Sequence, residues 1–353
     1  MHRFDYSFLD KGTLPAEMVN LTSAIAAFNA ISGERKDKNR NVYTELEKIA
    51  RVQSVKGSNA IEGIITTDSR INEIVNGNSA PLSHNEREIA GYRDALDEIH
   101  TNHGQMPFNE TTILHLHRVM TDIAGYDLSG RYKTDDNLIM QIDERGRRSV
   151  RFEPVSAADT GEAMEQLILA YIDARDNPRI SQLLLIPCVI LDFLCIHPFA
   201  DGNGRISRLL SLLLLYKSGY DVCKYVSFEE QINLAKEYYY EALQDSSKGW
   251  HTNENSYFEF MKNFLSTLYK CFKELDKRFS TVNGKRISKA ERIEQTVLNS
   301  VLPVSKSEIC GILQDVSPTT VEAVLGKMMK EGTIRKLGKA RATKYVNADY
   351  LKD

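Results

Sequence analysis

A short polar turn joins the two most apolar segments of the chain. Residues 183–196 read LLLIPCVILDFLCI and residues 209–216 read LLSLLLLY, with HPFADGNGRISR between them. The first run is interrupted by a proline and an aspartate and is too short to span a bilayer, so it is interpreted as a buried helix. We predict helices over 182–196 and 203–217, with a cramped glycine-containing turn between them.

The bulk composition is that of a soluble globular protein. The 353 residues are 42% hydrophobic and 26% charged, and the net charge of -3 gives no general attraction to nucleic acid or membranes. The length allows two or three domains. Five cysteines without CxxC spacing argue against a disulfide framework or a zinc site. Because no apolar signal segment opens the chain, we expect a cytoplasmic protein without a membrane partner.

Most of the first 280 residues have the periodicity of helices. Apolar residues recur at helical spacing over 16–32, 41–56, 84–101, 109–122, 159–175, 228–246 and 253–280. The only clear strand pattern consists of NLIMQI (137–142) and SVRFEP (149–154) on either side of DERG, which favours a hairpin. We therefore predict a mostly α fold with one β-hairpin in this part.

The C-terminal segment differs in charge and in pattern. Residues 284–347 contain twelve Lys and Arg against six Asp and Glu, a net charge of +6. Three helical stretches precede two short strands, and Ser317 and Pro318 suit the cap and first position of the third helix. This order predicts a winged helix-turn-helix domain over 284–353.

The turn has the chemistry of a polyphosphate site. Gly202, Asn203 and Gly204 would expose successive backbone N–H groups at the start of a helix, where the helix dipole also favours anions. Arg205 and Arg208 are three residues apart and project from one face of that helix. Two guanidinium groups beside an anion-binding turn suit a polyphosphate better than a single carboxylate.

Two further residues of the turn suit group transfer. Asp201 precedes the glycines, and one carboxylate beside bound phosphates is the usual protein contribution to a Mg²⁺ site. His197 ends the preceding helix, and an imidazole facing the same cleft can accept a proton from a hydroxyl at neutral pH. The segment thus offers a base, a metal ligand and a phosphate site.

The segment HPFADGNGRISR resembles the signature HxFx(D/E)GNGRxxR of the Fic family of nucleotidyltransferases at every fixed position. The wider resemblance covers about residues 100–245. It implies a Fic-type helical core with a β-hairpin flap, and transfer of AMP from ATP to a Ser, Thr or Tyr hydroxyl of a target protein. The implied roles are a general base for His197, its buried anchor for Phe199, Mg²⁺ binding for Asp201, an anion hole for Gly202, Asn203 and Gly204, and contacts to the β- and γ-phosphates for Arg205 and Arg208.

The resemblance also assigns the hairpin. In the family it is a flap that holds the target peptide by β-strand addition. Residues 137–142 would be the docking strand, beginning with Asn137, Leu138 and Ile139. Family members often carry arginine where Lys133 falls, so the hairpin match is loose. A plain surface hairpin is the alternative.

Residues 58–63, SNAIEG, resemble the inhibitory motif (S/T)xxxE(G/N) of the same family, with Ser58, Glu62 and Gly63 at its fixed positions. The resemblance implies that Glu62 pairs with Arg208, so that ATP binds in an unreactive pose. The alternative is an ordinary exposed glutamate near a helix end.

These motifs divide the chain into an N-terminal helical region (1–100), a catalytic core with flanking helices (101–280) and the C-terminal domain.

Other aromatic and histidine residues receive minor assignments. The resemblance suggests that Tyr238 and Tyr239 contact adenine, whereas packing is the more common role for neighbouring tyrosines. His115 and His117 are two apart on a helix, a spacing that does not present both to one metal ion, and we interpret them as structural.

Two alternative functions and two further partners follow from the sequence. A basic winged helix indicates a DNA-binding regulator, with a recognition helix over 317–331 that carries Thr319, Thr320, Lys327 and Lys330, and a wing that carries Arg335, Lys336, Lys339 and Arg341. The phosphate site also suits removal of AMP from a modified side chain. The protein itself is a further candidate target, and the resemblance suggests a homodimer.

Overall fold

The computed structural model describes residues 2–142, 148–283, 288–298, 300, 303–313, 315–338 and 343–348. The N-terminal region consists of helices α1 (Phe8–Lys11), α2 (Ala16–Lys38), α3 (Arg40–Ile61), α4 (Asp68–Val75) and α5 (His84–Asn102). The central region contains α6 (Glu110–Thr121), strands β1 (Ile139–Ile142) and β2 (Arg148–Phe152), α7 (Thr160–Asp176), α8 (Gln182–Ile196), α9 (Asn203–Lys217), α10 (Phe228–Asn233), α11 (Lys236–Ser247) and α12 (Phe258–Asn283). The C-terminal part contains α13 (Lys289–Leu298), α14 (Lys306–Ile312), α15 (Pro318–Lys330), β3 (Ile334–Leu337) and β4 (Lys344–Asn347).

Helices α8 and α9 form the centre of the fold, as their leucine-rich sequences predict. All residues from Leu183 to Ile196 are buried, and so are nearly all of α9 up to Tyr216. Helices α3, α5 and α6 pack against α9, whereas α7, α11 and α12 pack against α8. A helix that is apolar on every side must be enclosed by others, so this pair fixes where the connecting turn lies.

The predicted helices are present, with changes of extent. The bounds of α8 and α9 agree with the sequence prediction, and Asn109 caps α6 by accepting from the N–H of Thr112. Helix α3 continues five residues beyond the predicted end at 56, so residues 58–61 of the SNAIEG motif form its last turn and Glu62 and Gly63 follow it. The prediction of one helix over 228–246 is wrong, because α10 packs along α3 while α11 turns to pack on α12.

The first hairpin lies where the sequence predicts one. Its strands are antiparallel, with Ile139 opposite Phe152 and an irregular register between Ile139 and Met140. Asn137 and Leu138 precede β1, so the prediction that the strand begins at 137 is corrected. The amide of Asn137 is directed into the protein, where it bonds, whereas Leu138 is 54% exposed. The DERG turn lies outside the described residues.

The C-terminal part has the predicted order of three helices and an antiparallel hairpin. Ser317 caps α15 by accepting from the N–H of Thr320, and Pro318 occupies its first turn. Val304 adds a two-way backbone pairing to Tyr345 beside the hairpin. Two of the predicted wing residues, Lys339 and Arg341, lie outside the described residues. Assignment of this part as a winged helix therefore stays a prediction.

None of the helices in the described part of the chain is both long enough and apolar enough to cross a membrane.

The crossing of α5 and α6 depends on a glycine. A Cβ on Gly91 would lie 2.0 Å from the carbonyl oxygen of Met120. We expect Gly91→Ala to lower the free energy of unfolding by roughly 1–3 kcal/mol through overpacking. The matched control is Gly33→Ala in α2, where a Cβ meets nothing within 4 Å. It should stabilise the protein by about 0.5–1 kcal/mol. Urea unfolding measures both, and equal effects of the two changes would contradict this packing.

Candidate functional site

The turn between α8 and α9 has an unusual backbone that opens the mouth of α9. His197 ends α8 with φ 53° and ψ 59°, a left-handed conformation that non-glycine residues seldom adopt, and Gly202 precedes α9 with φ 81°. The first helical backbone bond of α9 runs from Ile206 N to the Gly202 carbonyl at 2.9 Å. The N–H groups of residues 203–205 therefore have no preceding helical turn to bond to, and this helix end, the mouth of α9, has the geometry that suits an anion.

His197 has the tautomer that a general base requires. Its Nδ1 lies 3.3 Å from the carbonyl oxygen of Leu194, which only accepts, so Nδ1 carries the proton and Nε2 keeps a lone pair. Burial lowers the pKa of His197 to about 4, although the bond to Leu194 opposes this and the cation of Lys133 adds to it. The imidazole is therefore neutral at physiological pH.

The turn is braced by the side chains of Asn203 and His117. Asn203 bonds both the N–H and the carbonyl of Phe199, at 2.9 and 2.7 Å, so only its backbone N–H is available to an anion. His117 accepts from Gly130 N and donates to the carbonyl of Asp201 at 3.2 Å, and its ring stacks on Phe199 at 3.8 Å. The predicted structural role of His117 and the predicted burial of Phe199, which is 0% exposed, are confirmed.

The other histidine of that helix, His115, pairs with Glu98 at 2.8 Å on the partly exposed side. It takes no part in the turn.

Arg205 and Asp201 are linked by a tyrosine that the sequence did not single out. Tyr126 donates to a carboxylate oxygen of Glu88 and lies 3.1 Å from Asp201 Oδ2. Arg205, 1% exposed, lies 3.5 Å from Glu88 Oε2 and 3.4 Å from the Tyr126 hydroxyl. The contact to Glu88 is made by Nη1 and is an ion pair without a hydrogen bond, and the buried Nε of Arg205 has no hydrogen-bond partner among the described residues. Buried donors of this kind indicate a missing acceptor, as a bound anion would provide.

Arg208 is satisfied by the end of α3. It is 2% exposed, and it donates to Ser58 Oγ at 2.9 Å, to the Ser58 carbonyl at 2.9 Å and to Glu62 Oε1 at 2.8 Å. A Cβ on Gly204 would lie 2.3 Å from that same Glu62 oxygen, which places the carboxylate against the first turn of α9. Gly63 follows with φ 78° and ends the turn. The structure thus brings the two sequence motifs together.

The aromatic residues of α11 are divided between two sides. Tyr239 is buried and Tyr240 is partly buried. Burial is the largest effect on the pKa of both hydroxyls and raises it, and the charges of Glu62 and Arg208 have smaller effects. Tyr238 is 40% exposed and lies on the outer side, near Lys262. The adenine assignment of Tyr238 and Tyr239 stays a prediction.

Arg151 extends the site onto the flap. Its guanidinium lies 5.7 Å from the ring centre of Tyr240, and its Nε is buried without a hydrogen-bond partner in the described part of the chain. Burial lowers the pKa of Arg151. A cation from β2 thus faces the same tyrosines as Arg208 does.

These residues fit a metal-bound triphosphate. The mouth of α9 supplies N–H groups, Asp201 supplies one carboxylate beside them, and Arg205 supplies an Nε–H that has no hydrogen-bond partner within the described part of the chain. A Cβ on Gly202 would lie 2.7 Å from Met120 Cε, so the turn requires glycine at this position. Within the described ranges no three His, Cys, Asp or Glu side chains group as a metal site, so an ion at Asp201 would take its other ligands from phosphate and water.

Sequence reasoning missed Glu88, Tyr126 and Arg151. Each is separated from the signature by about 50 to 120 residues of sequence. None of the three belongs to a sequence motif that would indicate a chemical role. Only the packing of α5, the segment after α6 and the flap around α9 brings them to the site.

The residues assigned to DNA contact remain on the surface. Thr319, Lys327 and Lys330 are exposed on α15, and Thr320 is partly buried. Lys327 lies 3.5 Å from Glu294 and 3.7 Å from Glu331, so its charge is offset locally. Arg335 and Lys336 lie on β3 with exposed side chains. DNA binding stays a prediction.

Comparisons with known proteins agree on one family. Residues 107–215 match the family model Fic/DOC family. A Fido domain-containing protein of Dictyostelium discoideum is 31% identical over 112 residues, which are 30% of this chain and 78% of that protein. The chain is 27% identical over 212 residues to a Protein adenylyltransferase Fic of Nematostella vectensis, across 57% of this chain and 44% of the relative.

Solved structures share the fold at low identity. A Fic family protein from Desulfovibrio desulfuricans superimposes with a TM-score of 0.62 and 18% identity, across 95% of this chain and 97% of that one. A Fic domain-containing signaling protein from Bacteroides thetaiotaomicron gives a TM-score of 0.56 and 19% identity, across 73% and 95%. At this identity the likeness establishes the fold alone.

The environment of His197 makes a direct prediction for its titration. Since burial lowers its pKa to about 4, the ring should stay neutral from pH 8 down past its ordinary midpoint of 6.5. Two-dimensional NMR of ¹³C-histidine protein, with His197→Ala to assign the signal, should show no change in that signal between pH 8 and 6. A midpoint near 6.5 would contradict the buried position described here.

Proposed function

The chain belongs to the Fic/DOC family, and on that premise we propose that it is a protein adenylyltransferase. It would transfer AMP from ATP to a Ser, Thr or Tyr hydroxyl of a target protein. The observation that carries this proposal is the conjunction at one turn of a neutral imidazole, a carboxylate and the buried Nε of Arg205, which has no hydrogen-bond partner among the residues that the structure describes.

The reaction needs one proton acceptor and one stabilised leaving group. The target hydroxyl oxygen would bond to the α-phosphorus as the bond from that phosphorus to the bridging oxygen breaks, which releases pyrophosphate. The hydroxyl proton would go to Nε2 of His197, whose Nδ1–H is held by Leu194. The charges of Glu62 and Asp201 both act on the imidazole of His197, which supports its place beside the start of α9.

The charge on the leaving pyrophosphate would be met by the N-terminal part of α9. The Nε of Arg205, which has no hydrogen-bond partner in the described part of the chain, would donate to the β-phosphate side, and Arg208 lies one helical turn further for the γ-phosphate. Mg²⁺, held by Asp201, would neutralise phosphate charge when bound, and the N–H of Gly202 orients that carboxylate by donating to its Oδ1 at 2.5 Å. Tyr239 and Tyr240 beside this mouth supply apolar surface for the nucleoside.

The same geometry suggests self-inhibition. Glu62 occupies the guanidinium that the γ-phosphate would need, and its carboxylate lies against Gly204 in the anion-binding mouth. The carboxylate thus imitates a phosphate. Lys236 holds this arrangement by donating to the Ile61 carbonyl at 2.6 Å, at the end of α3. Any signal that withdraws the end of α3 would then permit a productive triphosphate pose.

Release of this contact should activate the enzyme. With labelled ATP and Mg²⁺, the Glu62→Gly protein should modify itself roughly 10- to 100-fold faster than the wild type, because hydrogen bonds to charged groups contribute about 1.5–3 kcal/mol. Glu62→Gln, which keeps the size and loses the charge, should lie between the two. Adding His197→Ala to Glu62→Gly should abolish labelling while ATP binding persists.

No gain in labelling with Glu62→Gly would refute the inhibition, and labelling that survives His197→Ala would refute the role of the base. The two alternatives have separate readouts. Net loss of label from the modified protein without free ATP would favour AMP removal, and salt-sensitive retardation of DNA would favour a regulator.

A further inference from the structure

A buried lysine lies between the flap and the catalytic turn. Lys133 is only 4% exposed, although lysine seldom loses its contact with water. Its Nζ donates to Asn137 Oδ1 at 2.9 Å and to the Ile196 carbonyl at 3.4 Å. Its backbone N–H donates to the Pro198 carbonyl at 2.9 Å. One residue therefore contacts the chain on both sides of His197 and the approach to β1.

Asn137 completes the link on the flap side. Its Nδ2 donates to the Phe199 carbonyl at 3.1 Å, and the same carbonyl accepts from Asn203 at the start of α9. Hydrogen bonds thus connect Asn137, in the segment that leads into β1 and is called the stem of the flap, to the turn after α8 and to the start of α9. Because β1 begins two residues after Asn137, these bonds anchor the start of the hairpin to the turn that contains His197.

The charge of Lys133 also reaches His197. The partners that its Nζ bonds are an amide and a main-chain carbonyl, and burial lowers its pKa to about 8 against the opposing effect of Asp136. Burial is the main cause of the lowered pKa of His197, and the cation of Lys133 lowers it further. The carboxylates of Glu62 and Asp201 act on it in the opposite direction.

We infer that Lys133 is a positioning residue, which fixes the stem of the flap to both sides of His197 and keeps a positive charge beside the imidazole. This role rests on the proposed transfer reaction, in which the flap presents the target hydroxyl to His197. A purely structural lysine would be replaceable by any residue that preserves the fold. A positioning lysine requires the cation itself, so arginine should restore what methionine removes.

The first arm of the test needs no enzymatic activity. In ¹³C-histidine NMR of the otherwise wild-type chain, Lys133→Met should raise the midpoint of His197 by roughly one pH unit, because a nearby cation no longer opposes protonation. Lys133→Arg should leave it unchanged. Asn137→Ala keeps the cation and should also leave it unchanged. Arg131→Met, which removes an exposed cation two residues away, is the matched control and should have no effect.

The second arm measures transfer in the Glu62→Gly background. Lys133→Met and Asn137→Ala should each lower self-modification roughly 10-fold or more, with the dissociation constant of Mg-ATP within about twofold by calorimetry. Lys133→Arg should recover most of the rate, and Arg131→Met should keep all of it. Circular dichroism checks the fold, and Asn137→Ala carries the test if Lys133→Met does not fold.

The outcomes separate the inference from the proposed function. If Glu62→Gly transfers no AMP, the proposed function fails, and the NMR arm still decides whether Lys133 acts on His197. If Glu62→Gly is active and Lys133→Met transfers at the full rate with an unchanged His197 midpoint, the positioning role is overturned. Equal losses with Lys133→Met and Lys133→Arg would overturn it as well.

Discussion

Buried positive charge at the start of α9 is the constraint on which the rest of the structure depends. Two guanidinium groups, on Arg205 and Arg208, are almost completely excluded from water beside the free N–H groups of a helix end. Burial of such charges lowers the stability of the folded protein unless anionic groups pair with them. Glu62 bonds Arg208 directly together with Ser58, whereas Glu88 lies 3.5 Å from Arg205, whose Nε has no hydrogen-bond partner among the described residues. This asymmetry is the basis for proposing inhibition at Arg208 and phosphate binding at Arg205.

The position of Glu62 is itself the result of packing far from the turn. Helix α3 approaches α10 so closely that a Cβ on Gly57 would lie 2.9 Å from the backbone nitrogen of Glu230. The buried carboxylate of Glu229 accepts from Ser54 of α3 at 2.7 Å and from Tyr92 of α5 at 3.0 Å. These contacts set the register of α3, so that its last turn delivers Ser58 and Glu62 to Arg208 within hydrogen-bond distance. The contact between Glu62 and Arg208 thus depends on the packing of α3 against α10 and α5.

The sequence predicted those parts of the fold that local pattern determines. The bounds of α8 and α9 agree because continuous burial and a glycine turn are visible in the chain itself. The sequence also predicted that the residues of the signature lie close together, because they belong to one short segment of the chain. The pairing of Glu88 with Tyr126, and the position of Lys133 between two segments, depend on contacts across about 40 to 65 residues, which no spacing rule reports. The break between α10 and α11 has the same origin, since it follows from packing against α3 and α12.

The most direct measurement is a calorimetric comparison of ATP, ADP and AMP binding to the Glu62→Gly protein with and without Mg²⁺. If the mouth of α9 and its two arginines bind a triphosphate, affinity should fall in steps as the γ- and β-phosphates are removed, and Arg205→Met should abolish most of the difference. Equal affinity for the three nucleotides, or no binding of ATP with the ion present, would contradict the assignment of this helix end as a phosphate site.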